Sequence, residues 1–130
     1  MKKVYIEVMG CQMNKSDAER MYGMLEHLGY TETTEPKEAD MLIINTCSVR
    51  QLSEDKAFSA IGVWGKWKKE NNPDLKIIFS GCVAQQRGKQ ILARAPYVDL
   101  VLGTQRVYEL PSLIKRIEAG ERIVSVDEIP

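Results

Sequence analysis

The 130-residue sequence predicts an α/β domain with a mainly parallel sheet of about four or five strands and helices on both faces. Three observations predict it. Short apolar runs alternate with longer amphipathic stretches about four times along the chain. The run Met41-Leu42-Ile43-Ile44 is apolar throughout, the pattern of a strand covered on both sides. Glycine, asparagine and proline punctuate the joins, at Gly10, Gly29, Gly81, Gly120 and Asn71-Asn72-Pro73.

Taken in order, residues 4–9 predict a β-rich first strand ending at Gly10. Residues 16–28 predict a helix, with Ser16 or Asp17 at the N-cap and Met21, Met24, Leu25 and Leu28 at helical spacing. Gly29 follows as a C-cap glycine. Residues 31–39 are polar, contain Pro36 and read as a connection, with a short strand around 30–35 left open. A strand at 41–45 precedes a helix over 53–70, where Ala57, Ile61, Trp64 and Trp67 lie three or four apart. A strand at 76–80, a helix at 84–95 broken before Pro96, and a strand at 98–102 follow. A helix over 105–119 has Pro111 near its first turn, and residues 123–126 read as a last strand or the start of a linker. The domain is therefore placed at 1–119, with 120–130 as last strand or linker. The repeat is flavodoxin-like or Rossmann-like, and each crossover should be right-handed.

Composition narrows the function classes. At 44% hydrophobic and 28% charged, collagen-like and disordered readings fall away. No apolar run approaches the ~18–20 residues needed to span a bilayer, so no membrane partner is expected. Glu7 interrupts the N-terminal apolar stretch too early for a signal peptide. The 18 Lys and Arg balance 18 Asp and Glu, which argues against attachment to nucleic acid by bulk charge alone. Three cysteines are too few for a disulfide-stapled fold and point to a reduced, cytoplasmic setting.

The spacing of the three cysteines carries the chemistry. Cys11, Cys47 and Cys82 are 35 or 36 residues apart, about one βα unit, and each follows a strand. Parallel strands point the same way, so all three thiols should emerge at the carboxyl edge of the sheet, where ligands gather in open α/β folds. Helix N-termini there favour thiolates. Glycines before Cys11 and Cys82 permit sharp turns and close approach to a bulky group. Zinc prefers four ligands, and the single histidine, His27, lies inside a helix, which leaves a three-cysteine zinc site completed by water as an unusual alternative. A 4Fe–4S cluster on three thiolates would keep one iron open. The plainer alternative is three unconnected buried thiols.

The strings Gly10-Cys11-Gln12-Met13-Asn14, Asn45-Thr46-Cys47-Ser48-Val49-Arg50 and Gly81-Cys82-Val83-Ala84-Gln85 resemble the N-terminal domain of the radical S-adenosylmethionine methylthiotransferases. The resemblance runs from Lys3 to about Ala119 and is closest to the branch that modifies isopentenyl-adenosine beside the anticodon of tRNA. It implies that Cys11, Cys47 and Cys82 hold a 4Fe–4S cluster that supplies or carries sulfur. It also implies a radical S-adenosylmethionine domain in the same polypeptide, with a second 4Fe–4S cluster on a Cys-x-x-x-Cys-x-x-Cys motif, and a tRNA substrate. That motif and the family's RNA-binding module are absent from this sequence, so the domain alone is expected not to turn over. Other branches, acting on threonylcarbamoyl-adenosine in tRNA or on a ribosomal protein aspartate, are the alternatives, as is a flavodoxin-like module that binds a ligand without catalysis.

Other residues carry weaker signals. Asn14 and Asp17 read as capping residues or as aids to the site, and Thr46 and Ser48 as capping residues or donors to cluster sulfides. Residues 50–94 hold nine basic and four acidic side chains. A patch of Arg50, Lys66, Lys68, Lys69, Arg87 and Lys89 would suit RNA, with Arg50 the best candidate through its place beside Cys47, while the lysines also read as a solvated helix end. Trp64 and Trp67 read as packing against the sheet rather than as base-stacking rings, His27 as a helix-face residue, and the methionines as core fillers.

Overall fold

The apolar runs assemble into one six-stranded sheet in the computed structural model, which describes residues 2–9, 13–46 and 51–126, with side chains at 2–9, 18–46, 54–104 and 106–126. The strands are β1 (Lys2–Met9), β2 (Tyr30–Glu32), β3 (Met41–Thr46), β4 (Lys76–Gly81), β5 (Leu100–Leu102) and β6 (Ile123–Ser125). The helices are α1 (Met13–His27), α2 (Gln51–Glu70), α3 (Cys82–Arg87), α4 (Lys89–Arg94) and α5 (Leu110–Glu118), with 3-10 turns at Pro36–Glu38 and Thr104–Glu109. All neighbouring strands are parallel, in the order β2-β1-β3-β4-β5-β6.

The α/β class and the parallel sheet are as the sequence predicts. The strand number is six rather than four or five. The two extra strands sit at the two edges and have three residues each, too short to show a period of two.

Alternate residues of the central strands feed two cores. Met41, Ile43 and Ile78 pack with Met21, Leu25, Ile114 and Ile117 from α1 and α5. Leu42, Ile44, Ile77 and Phe79 pack with Ala57, Ile61, Trp64 and Ile91 from α2 and α4. Every residue of β3 is buried, which explains its unbroken apolar run. Each of Leu42, Ile43 and Ile44 contributes about 1.5–3 kcal/mol by leaving water.

Several boundaries move for identifiable reasons. α1 begins at Met13, so Ser16 and Asp17 fall inside its first turns instead of capping it. Among the residues whose side chains are described, its buried stripe starts at Ala18 and Met21. The helix expected at 84–95 divides into α3 and α4 at Gly88, whose φ of 48° and ψ of −120° only glycine adopts readily. The helix expected at 105–119 begins as a 3-10 turn and becomes α-helical at Leu110. Pro111 has no amide hydrogen for the carbonyl four residues back, which suits it to the first turn of α5.

Lys68 corrects the reading of a solvated helix end. Its ammonium lies 2.7 Å from Asp99 Oδ2 and donates to the Tyr97 carbonyl at 3.0 Å, while Asp99 also accepts the Ile77 amide at 2.9 Å. The two side chains are only 18% and 11% exposed, so the pair ties α2 to the start of β4 and the approach to β5. Trp64 is buried and meets Tyr5 edge to face at 6.5 Å, and Trp67 packs against the same core, as expected of packing residues. His27 is exposed in the last turn of α1.

Lys68→Met leaves Asp99 charged and poorly solvated. It should lower unfolding free energy in urea by about 2–4 kcal/mol, and adding Asp99→Asn should recover part of that loss. Two glycines should respond in opposite directions. A Cβ on Gly81, whose φ is 101°, would lie 2.6 Å from Thr46 N and closer still to the Thr46 carbonyl. Gly81→Ala should therefore destabilise by about 3 kcal/mol or more. Gly23 sits exposed within α1 with nothing near its missing Cβ, so Gly23→Ala should raise stability by about 0.5–1 kcal/mol in the same assay.

Candidate functional site

β1, β3 and β4 are consecutive in the sheet and share one register. Met9 pairs with Thr46, and Thr46 with Gly81, at the carboxyl ends of the three strands. Neighbouring strands lie about 4.8 Å apart, so this row spans about 10 Å. Cys11 comes two residues after Met9, Cys47 one after Thr46, and Cys82 one after Gly81. The row also lies where the chain changes direction across the sheet, because β1 is followed on one side by β2 and on the other by β3. Ligands of open parallel sheets bind at such a switch point.

Cys82 is the first residue of α3 and is partly exposed. Cys11, Cys47, Ser48 and Arg50 lie outside the described residues, as do the side chains of Asn14 and Asp17. Among the described residues no group of three or more His, Cys, Asp or Glu is placed to hold a metal. The donor types still suit an iron–sulfur group: three thiols, each within two residues of one row of strand ends.

Beneath this edge lies a buried polar row. Asn45, Thr46 and Ser80 are no more than 1% exposed. The Ser80 hydroxyl donates to the Ile44 carbonyl at 3.0 Å and lies 3.2 Å from Asn45 Oδ1. The Thr46 hydroxyl donates to the Ser80 carbonyl at 3.1 Å and accepts the Val83 amide at 3.2 Å. Its proton is thus committed within the protein, which corrects the reading of Thr46 as a donor to cluster sulfides. Leaving such a hydroxyl buried and unbonded would cost about 1–3 kcal/mol.

Further from the edge, Glu54 in the first turn of α2 takes two bonds from Arg87 at the end of α3, at 3.0 and 3.3 Å. The Glu54 side chain is only 7% exposed, so this pair braces the helix after Cys47 against the helix that Cys82 begins. Sequence reasoning missed Glu54, since an acidic first turn is common and its partner is 33 residues away. Next to the pair, the Arg94 guanidinium stacks on Phe58 at 3.8 Å. On β1, burial and then the hydrogen bond to Glu7 push the Tyr5 phenol above its ordinary value. Glu109, in the 3-10 turn after β5, is held below the usual carboxylate range chiefly by its bond from Arg106 at 2.7 Å.

Among the described residues the basic patch does not form as one surface, and Arg50 lies outside them. Lys68 and Arg87 are engaged with Asp99 and Glu54. Lys66 and Lys69 are exposed, but Lys66 lies 15 residues beyond the start of α2, about 22 Å along its axis from the sulfur edge. Lys89 is exposed on α4.

Among the described residues no helix is long and apolar enough to cross a membrane. Residues 3–103 match the model of a family described as "Uncharacterized protein family UPF0004". Similar curated proteins include tRNA-2-methylthio-N(6)-dimethylallyladenosine synthases of Acinetobacter baylyi, Aeromonas salmonicida and a Sulfurihydrogenibium species. The first is 52% identical over 114 residues, 87% of this chain and 23% of that protein. The second is 48% identical over 120 residues, 92% and 25%. The third is 43% identical over 126 residues, 97% and 29%. The chain thus spans about a quarter of the length of these relatives. With most of its length matched to that one model, the chain belongs to the UPF0004 family.

Proposed function

We propose that this domain holds a 4Fe–4S cluster on Cys11, Cys47 and Cys82 within a longer enzyme that methylthiolates an isopentenylated adenosine of tRNA. The observation that carries this reading is the register of Met9, Thr46 and Gly81 on three adjacent parallel strands, each followed within two residues by a cysteine. The names of the relatives support the choice of substrate. When bound, such a cluster with one iron lacking a protein ligand supplies sulfur chemistry that side chains do not.

The chain's own part is to hold and present. Cys11, Cys47 and Cys82 act as ligands, not as nucleophiles or a redox pair. The two cores on either face of the sheet keep the strand ends from moving relative to one another. The Glu54–Arg87 pair limits sliding of α2 against α3. A second cluster, S-adenosylmethionine cleavage and most of the RNA grip belong to parts of the enzyme outside this chain, so the domain alone does not turn over. The enzyme works in the cytoplasm on tRNA.

Anaerobic reconstitution of the chain with iron and sulfide should give a brown protein with about four irons, the count of a 4Fe–4S centre. Cys→Ala at position 11, 47 or 82 should each sharply reduce the iron bound. A colourless chain, or one that takes zinc instead, would reject the cluster. Arg50, beside Cys47, is assigned to a tRNA phosphate. In the full-length enzyme Arg50→Ala should weaken tRNA binding and reduce the slope of log K against log salt by about 0.7–0.9. An unchanged slope removes that contact.

A further inference from the structure

α3 begins with an uncapped end. Gly81 occupies its N-cap position with φ 101° and ψ −158° and has no side chain to receive the first amides. The opening amides of any helix lack partners within it. Here one of them, the Val83 N–H, is taken by the Thr46 hydroxyl on the neighbouring strand, 37 positions earlier in the chain. That hydroxyl is fixed in turn by donating to the Ser80 carbonyl, and Thr46 is completely buried. Thr46 is the residue before Cys47, and Val83 is the residue after Cys82. One side chain at the end of β3 therefore holds the first turn of the helix that Cys82 begins.

We propose that Thr46 is a positioning residue for the sulfur site: its hydroxyl fixes the start of α3, and with it Cys82, against the end of β3. This rests on the cluster reading above and deepens it. A plain strand residue at position 46 would support the sheet through its backbone alone, with valine serving as well as threonine. The hydroxyl adds a link that the described rungs between β3 and β4 do not make, because the last of them joins Thr46 to Gly81 and Val83 lies beyond it in α3. Gly81 allows the link to be short, since no Cβ stands between the Thr46 backbone and the start of α3.

Thr46→Val keeps the shape and removes the hydroxyl, and Thr46→Ser keeps the hydroxyl and removes a methyl group. Each variant of the chain is reconstituted anaerobically beside the parent. Iron per folded chain, the rate of iron loss to a chelator and the electron paramagnetic resonance g-values of the reduced cluster are then measured, with thermal unfolding of the apoprotein as the control for stability. Thr46→Val should lose iron about tenfold faster than the parent, the factor expected of one well-placed hydrogen bond, and should show shifted g-values. Thr46→Ser should stay within about twofold of the parent rate and keep the parental spectrum. Should Thr46→Val not fold, Thr46→Ala takes its place against Thr46→Ser. A hydroxyl-free variant that melts earlier but keeps the parental release rate and spectrum overturns the proposal and leaves Thr46 a stabilising residue only. A parent chain that takes up no iron overturns the cluster reading, and this inference with it.

Discussion

The ladder between β1, β3 and β4 is the constraint on which the rest of this structure depends. Its hydrogen bonds decide which residues leave the sheet side by side, and they bring Met9, Thr46 and Gly81 out together. A sheet with one wet face resists slippage because a shift of one residue would expose its apolar side chains. This sheet is covered on both faces, so that penalty is weak here. Met41 and Ile43 exchanging places with Leu42 and Ile44 would still leave oily residues on both sides. Register is instead specified by features that tolerate no shift. The Ser80 hydroxyl must face the Ile44 carbonyl and Asn45, and Gly81 must lie against Thr46, where any other residue would collide.

The polar row and the cysteine edge are thus two consequences of one arrangement. Buried hydroxyls cost stability unless bonded, so a row of three polar residues at the end of two central strands has to be matched across the strands. Matching it aligns the strand ends to within a hydrogen bond. In sequence, the thiols follow these aligned ends by one or two residues.

The helices add stiffness in a second layer. α2 is tied at its beginning to α3 through Glu54 and Arg87, and near its end to the approach to β5 through Lys68 and Asp99. Both ties are partly or largely removed from solvent, so salt screens them less than it screens the exposed pair Arg116–Glu121. They also explain why the basic stretch at 50–94 makes a weaker electrostatic surface than its composition suggests. Two of its cations are neutralised where they stand, and two others point outward at the opposite end of a 20-residue helix.

Element types were legible because they are local. Apolar runs at β1, β3 and β4, the stripe Ala57, Ile61, Trp64 and Trp67, and the glycine and proline stops each act within a few residues, and they determined the α/β class and the cysteine-after-strand pattern by themselves. The edge strands β2 and β6 were only half legible, since three residues exist as a strand only when a neighbour supplies the hydrogen bonds. Likewise, no local signal separates α3 from α4 except a glycine that could equally have stayed in a helix. Tertiary structure alone decided that β1 lies beside β3, that Lys68 faces Asp99, that Glu54 meets Arg87, and that the Thr46 proton turns toward Ser80. In each case the partners are some 30 or more residues apart, and what joins them is the shared requirement to leave no charge or hydroxyl unpaired once water has been excluded.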